Sequence, residues 1–291
     1  MSAQTQRMRA LLAGDGLAVA VGSGDALTAR LIERAGFDVI WSSSFCISAA
    51  YAVPDASLLS MTQYLEATRA MCDATALPVL ADCDTGYGNA NNVIYAVEQF
   101  ERAGAAAVCF EDKRFPKDTS LLAGARQELA TVEEFVGKIE AAAAARRDPD
   151  LVIVARTEAL IAGQGQGEAL RRGHAYVEAG ADAILVHSKA TTPDEIVAFI
   201  RAWDRPTPLV IIPTAYPSLT EAQIRALGKV KLVIYANQPL RAAVKAQEEL
   251  LREIKRAGGI HTIEERMVPV THVFELQGVP RLKENESRFV R

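Results

Sequence analysis

With 291 residues, 49% of them hydrophobic, the chain is long enough for one large α/β domain or two small ones and for a substantial core. Its 32 basic and 36 acidic side chains leave a net charge of −4, and no basic stripe interleaved with aromatics supports nucleic-acid binding. No apolar stretch reaches membrane-span length, the first fifteen residues lack an apolar signal core, and Cys46, Cys72, Cys83 and Cys109 show no C-x-x-C spacing. A cytoplasmic protein with free thiols is therefore expected.

Short β-like runs alternate with helix-like runs along most of the chain. Predicted strands cover 17–22, 38–42, 79–82, 106–111, 151–156, 183–187, 209–213 and 232–236. Amphipathic helical segments at 26–35, 63–75, 90–102, 132–145, 167–179, 193–203 and 221–227 lie between them. The phrase Arg102-Ala103-Gly104-Ala105 returns as Glu178-Ala179-Gly180-Ala181, and Arg34-Ala35-Gly36-Phe37 is related. Each reads as a helix end with glycine at the cap and a strand directly behind it.

Eight strands, most followed by a helix, is the count of a (β/α)8 TIM-type barrel. An open doubly wound sheet carries the same alternation. However, Leu27 stands where the third glycine of a dinucleotide fingerprint starting at Gly22-Ser23-Gly24 is needed. Two segments break the rhythm. Residues 112–131 form a long polar loop, which predicts a lid. Residues 238–291 exceed what a barrel needs; they hold a predicted helix at 240–256 and a charged tail, and are expected to pack on a partner subunit.

Barrel active sites are built from strand ends at the C-terminal face. Here Trp41-Ser42-Ser43-Ser44 follows the second predicted strand, and Asp82 and Asp84 close the third, their two-residue spacing placing both on one face. Glu111 closes the fourth, Arg156 and Glu158 the fifth, and His187 the sixth. Converging carboxylates repel: at an effective dielectric near 20, two unit charges about 4 Å apart cost roughly 4 kcal/mol. A hard divalent cation relieves that repulsion. Carboxylates without a His or Cys cluster select Mg²⁺, with Mn²⁺ or Co²⁺ as substitutes, over zinc. Arg156 and His187 would then face an anionic substrate group, since a guanidinium fork matches phosphonate or carboxylate oxygens. The plainer alternatives are an internal Arg156–Glu158 ion pair and a satisfied core histidine. Gly86-Tyr87-Gly88-Asn89 reads as a turn, and Lys189 as a solvated lysine rather than a Schiff-base former.

At these residues the sequence resembles the phosphoenolpyruvate mutase/isocitrate lyase superfamily. The matching stretches are Trp41-Ser42-Ser43-Ser44-Phe45 with Asp55 downstream, Asp82-Cys83-Asp84-Thr85-Gly86-Tyr87-Gly88-Asn89, Glu111-Asp112-Lys113-Arg114-Phe115-Pro116-Lys117-Asp118-Thr119-Ser120, Ala155-Arg156-Thr157-Glu158-Ala159 and His187-Ser188-Lys189. Within that superfamily the loop after the fourth strand sorts the reactions. The C–C lyases carry Lys-Lys-Cys-Gly-His there, and this loop has neither Cys nor His. Mutases typically show Asn-Ser, where this chain has Thr119-Ser120. Asp118-Thr119-Ser120, the following Arg126-Gln127-Glu128-Leu129, and Pro213-Thr214-Ala215-Tyr216-Pro217 resemble the members that hydrolyse phosphonopyruvate.

The resemblance implies a barrel with C-terminal helices exchanged between subunits of a homotetramer, a dimer of dimers. It implies that Asp82 binds Mg²⁺ directly, while Asp55, Asp84 and Glu111 hold its waters. Ser43 and the backbone at Ser44 and Phe45 would grip the substrate carboxylate, with Trp41 walling the pocket. The mutases and hydrolases of the superfamily commonly have glycine at the position of Ser44; since the backbone N–H is the group expected to contact substrate, a serine side chain pointing away would be tolerated. Arg156, His187, Thr119 and Ser120 would surround the phosphonyl group, Lys117 would join them from the loop, and residues 112–131 would form the gate. The expected reaction is hydrolysis of the P–C bond of 3-phosphonopyruvate, with Thr119 making room for the attacking water. Interconversion of phosphonopyruvate and phosphoenolpyruvate, or C–C cleavage of a 2-oxo or 2-hydroxy acid, is the alternative.

Overall fold

Strand β1 (Ala18–Ser23) pairs on one side with β2 (Val39–Ser42) and on the other with β8 (Val230–Tyr235). Between them β3 (Val79–Asp82), β4 (Ala107–Glu111), β5 (Val152–Thr157), β6 (Ala183–Val186) and β7 (Leu209–Ile211) follow in sequence order. All pairings are parallel and the sheet is closed. The computed structural model describes residues 2–291. Closure settles the choice between a barrel and an open sheet in favour of the (β/α)8 architecture.

Helices α1 (Ala3–Ala13), α2 (Ala26–Arg34), α3 (Ser44–Ala50), α4 (Met61–Ala74), α5 (Ala90–Arg102), α6 (Val132–Ala145), α7 (Gly165–Glu178), α8 (Asp194–Ala202) and α9 (Glu221–Leu227) accompany the strands. Strand β3 and helices α5, α6 and α9 have the expected limits, and the other expected elements shift by one to a few residues. Strand β8 starts at Val230 rather than 232, because Lys231 interrupts the apolar run from which it was read. Sequence reading missed α1 and α3, and it read the helices at Val270–Leu276 and Val279–Phe289 as a charged tail. In α1 only Met8 and Leu12 carry a buried apolar face, so the helical period is faint, and a capping box at Ser2 and Thr5 sets its start. Helix α3 has seven residues, mostly small, and is capped by Ser43.

Two apolar clusters result from the strand alternation. Val19, Val21, Ile40, Ala81, Val108, Ile153 and Ile184 face outward against the helices. Ala18, Ala20, Val39, Trp41, Leu80, Cys109, Val154, Leu185 and Ile234 fill the barrel, with Met8 and Leu12 of α1 in the same cluster. The period of two carries the inner face up to the strand ends. From Leu80 it reaches Asp82, from Cys109 Glu111, from Val154 Arg156, and from Leu185 His187. Four of the functional candidates are thus the top layer of the barrel filling.

By their internal contacts the residues form two compact units, one ending at Asn237 and the other spanning Gln238–Arg291. The second consists of α10 (Gln238–Ala257), a 3-10 turn (Glu264–Arg266), α11 (Val270–Leu276) and α12 (Val279–Phe289). Helix α10 buries none of its residues, and Val244 and Leu251 are exposed. No helix among the described residues is long and apolar enough to cross a membrane. Lys189 is exposed, as a solvated lysine should be.

Candidate active site

A cavity of about 170 Å³ opens where the strands end, lined by Trp41, Ser43, Phe45, Asp55, Asp82, Lys117, Thr119, Ser120, Arg156 and His187. Leu121, Ile212, Thr214, Ala236 and Asn237 complete the wall. Register places the charged members. Glu111 and Arg156 are direct partners across β4 and β5, and Asp82 stands beside Cys109 across β3 and β4.

The acids do converge, but protein cations relieve their repulsion. Lys117 Nζ lies 2.6 Å from Asp84 Oδ1 and 3.2 Å from Asp55, and donates to Ser44 Oγ at 3.2 Å. Burial disfavours the Lys117 charge, yet Asp55, Asp84, Glu111 and Asp82 outweigh it and hold the ammonium protonated. Burial pushes the carboxyls of Asp82 and Asp84 upward, against the opposing pull of Lys117. Asp84 sits beyond the end of β3 with φ of 50°, so strand alternation does not place it. A left-handed turn, which Asp tolerates, aims it instead.

Glu158, missed as a functional residue, is the hub of the other half. It has 0% side-chain exposure and accepts from Arg156 Nε at 2.6 Å and from Ser120 Oγ at 2.7 Å. Lys113 Nζ lies 3.4 Å away and donates to Ser120 Oγ at 2.7 Å. Burial raises the Glu158 carboxyl, but Arg156 and Lys113 outweigh it and hold it well below the usual carboxylate range. The ion pair weighed as the plain alternative for Arg156 is therefore present. Arg156 nonetheless lines the cavity, with Nη2 donating to Ser120 Oγ at 3.1 Å and to His187 Nδ1 at 3.0 Å. Its Nε also lies 3.3 Å from Glu111 Oε2.

The guanidinium can only donate, which makes His187 Nδ1 the acceptor and puts the imidazole proton on Nε2. A longer contact from Nδ1 to Glu158 Oε1, at 3.2 Å, favours the opposite tautomer; the shorter bond decides. Burial lowers the His187 pKa, so the ring is neutral at neutral pH. Nε2 is buried without a protein partner, unlike a satisfied core histidine.

One point departs from the sequence reading: the Ser44 side chain does not point away, and its Oγ donates to Asp82 Oδ2 at 2.8 Å. Thr119 lines the cavity, and its Oγ1 donates to the Asp55 carbonyl at 2.9 Å, which leaves only its acceptor side for other partners. Ser43 caps α3 by accepting from Cys46 N at 3.2 Å while still lining the cavity.

The base of the 112–131 loop is closed by a bridge between Lys113 and Leu129 and by Ala130 N donating to the Asp112 carbonyl. Buried Asp112 accepts from Tyr176 Oη at 2.7 Å, Glu158 N at 2.8 Å and Arg172 Nη1 at 3.2 Å. Arg172 also donates to the Ala130 carbonyl, so one buried network holds both strands of the neck.

Among the described residues, no group of three or more Asp, Glu, His or Cys side chains is placed to hold a metal ion by itself. The donors nonetheless suit a hard cation that keeps its own water shell, since every candidate ligand atom is an oxygen. Glu111 Oε1 is buried without a hydrogen-bond partner, an acceptor fit for a cation-bound water.

Residues 8–255 match the model of the family described as phosphoenolpyruvate phosphomutase. The chain belongs to that family. Among phosphoenolpyruvate phosphomutase relatives, the phosphonopyruvate hydrolase of Variovorax sp. (strain Pal2) is 54% identical over 288 residues, covering 99% of each chain. A crystal structure of phosphonopyruvate hydrolase in complex with oxalate and Mg²⁺ superposes with a TM-score of 0.95 at 52% identity, covering 100% of both chains. That of phosphoenolpyruvate phosphomutase from Streptomyces platensis subsp. rosaceus gives 0.96 at 49% identity, with 99% of both covered. Of the family residues singled out in the sequence, the cavity unites all but Ser44, Asp84 and Glu111; these three contact its lining side chains.

Proposed function

We propose that the chain hydrolyses the P–C bond of 3-phosphonopyruvate, giving pyruvate and phosphate. The observation that carries this reading is the placement of Thr119 on the cavity wall with its hydroxyl proton engaged by Asp55. A lone pair is left there to hold a water beside Arg156 and His187. Similarity to a phosphonopyruvate hydrolase over the whole chain supports it.

The P–C bond is hard to break because its electrons leave on carbon. In phosphonopyruvate the neighbouring ketone accepts them, so the departing group is the pyruvate enolate. Asp82 would hold Mg²⁺ directly, with Asp55, Asp84 and Glu111 on its waters; Mn²⁺ or Co²⁺ would substitute. When bound, the cation supplies Lewis-acid stabilisation to the charge collecting on the keto oxygen. The backbone N–H groups of Ser44 and Phe45 and the hydroxyl of Ser43 bind the substrate carboxylate, against the indole of Trp41. Arg156 Nη1 and His187 Nε2–H meet the phosphonyl oxygens, whose charge spreads over three atoms as the bond loosens. Ser120 keeps Arg156 and Glu158 in register with the loop, and Lys117 brings positive charge beside the enolate end. Thr119 Oγ1 accepts a hydrogen bond from the attacking water and turns the water oxygen toward phosphorus. A new P–O bond forms, the water's protons pass to the phosphate and solvent, and the enolate carbon takes a proton to become pyruvate.

Residues 112–131 act as the gate. The C-terminal unit contacts a second copy of the chain through exposed Val244, Leu251, Phe274 and Phe289, within a homotetramer. Four free cysteines suit a reducing cytoplasm. The test is phosphate release from phosphonopyruvate with and without Mg²⁺. Metal-dependent phosphate and pyruvate in equal amounts support the reading. Phosphoenolpyruvate as the product would assign a mutase, and no turnover would reopen C–C cleavage.

A further inference from the structure

We propose that the Ser44 hydroxyl is a positioning group that ties the 112–131 loop, through Lys117, to Asp82. The tether is a matter of geometry, although its consequence for turnover rests on reading Asp82 as the metal carboxylate and the loop as the gate. Ser44 is the first residue of α3, and the capping duty at that helix end falls to Ser43, whose Oγ accepts from Cys46 N. The Ser44 hydroxyl is therefore free of the backbone. It is buried and directs its one proton to Asp82 Oδ2 at 2.8 Å, while its oxygen accepts from Lys117 Nζ at 3.2 Å.

Lys117 is the point where the loop dips inward. Residues 114–116 are exposed, whereas the Lys117 side chain retains only 5% exposure. An ammonium has three protons. Two of its neighbours are the carboxylates of Asp84 and Asp55; the third is the Ser44 hydroxyl. A polarised relay, N⁺–H to O–H to carboxylate, thus runs from loop to strand end. Other side-chain anchors of the loop go elsewhere: Thr119 to the Asp55 carbonyl, Ser120 and Lys113 to Glu158, and Asp112 to Tyr176 and Arg172. The relay also fixes Asp82. It engages Oδ2 firmly and leaves Oδ1 with a single long contact, 3.3 Å from Asp84 N. Alanine at position 44 removes the donor from Asp82 and one acceptor from Lys117 in a single change.

The test is hydrogen–deuterium exchange, read by mass spectrometry in EDTA, on the full chain and on Ser44→Ala, Lys117→Met and the double variant. The tether predicts that loop amides exchange about tenfold faster in Ser44→Ala, the factor expected for one hydrogen bond to a charged group. Lys117→Met should speed them as well, and the double variant should match Lys117→Met alone, because both changes cut the same link. Amides of β5 serve as the folding control, and Ser44→Gly replaces the alanine variant if those amides lose protection. Wild-type loop exchange in Ser44→Ala, or additional exchange in the Lys117→Met background, would overturn the proposal. Phosphate release by the wild-type chain is scored separately, so a failure of the hydrolase reading with coupling intact leaves the tether standing.

Discussion

Glu158→Gln probes the least exposed charge of the site. The carboxylate holds Arg156 at 2.6 Å and Ser120 at 2.7 Å, with His187 and Lys113 at 3.2 and 3.4 Å. Glutamine preserves volume but removes the charge, and its amide N–H₂ must face either the Arg156 Nε–H or the Ser120 hydroxyl, both of which donate to the carboxylate. Breaking a buried ion pair at one partner costs about 3–5 kcal/mol. At about 2–4 °C per kcal/mol for a domain of this size, the midpoint should fall by roughly 6–20 °C. Because Arg156 and Ser120 lose their common anchor, kcat should fall about 100-fold, as for a small misplacement of groups around a reacting centre. Thermal unfolding by circular dichroism and steady-state phosphate release give the two readouts. The sign of the pH dependence follows from the depressed folded-state pKa. The stabilisation from Glu158 is full above its ordinary value of 4.5 and is lost as pH falls through the lower folded value. The gap between wild type and variant should therefore narrow in acid. A midpoint unchanged within about 2 °C would refute the claim that this carboxylate holds the site together.

Thr119→Asn should shift product from phosphate toward phosphoenolpyruvate, read by phosphorus NMR; an unchanged rate and product ratio would remove Thr119 from the water-holding role. Thr119→Val, which keeps the shape and loses the acceptor, should lower kcat about 10–100-fold with KM little changed, as measured by initial rates of phosphate release. Lys117→Met leaves Asp55 and Asp84 buried without their cation and should cost about 3–5 kcal/mol, part of which millimolar Mg²⁺ restores. Calorimetric melting with and without the metal measures this, and a melting temperature indifferent to Mg²⁺ in that variant would count against the acid cluster as a cation site. Chelation by EDTA should abolish phosphate release, and Mg²⁺, Mn²⁺ or Co²⁺ should restore it.

The barrel was readable because each strand is a short apolar run, because three of the helices end on the same glycine phrase before the next strand, and because eight such strands occur. The inner-face period of two carries Asp82, Glu111, Arg156 and His187 to the top layer, so these positions could be read from spacing and count alone. Asp84 and Lys117 could not. The first depends on a left-handed backbone turn, and the second lies on an irregular loop whose path no periodicity records. The expected relief of carboxylate repulsion by a metal overlooked that a loop lysine 33 residues from Asp84 lies beside the same oxygens. Glu158 looked like a plain salt-bridge partner of Arg156; its two-residue spacing from Arg156 was the available signal, and its contacts with Lys113 and Ser120 required the fold. Ser44 was misjudged because only its backbone was given a role.

The central claim is that water, not the enolate oxygen, captures phosphorus in this pocket. Turnover of phosphonopyruvate with Mg²⁺ in ¹⁸O-labelled water, followed by phosphorus NMR, tests it directly. Inorganic phosphate carrying one solvent oxygen, formed in step with pyruvate, is the predicted outcome. A signal growing instead at phosphoenolpyruvate, or no change in phosphonopyruvate, would contradict the account.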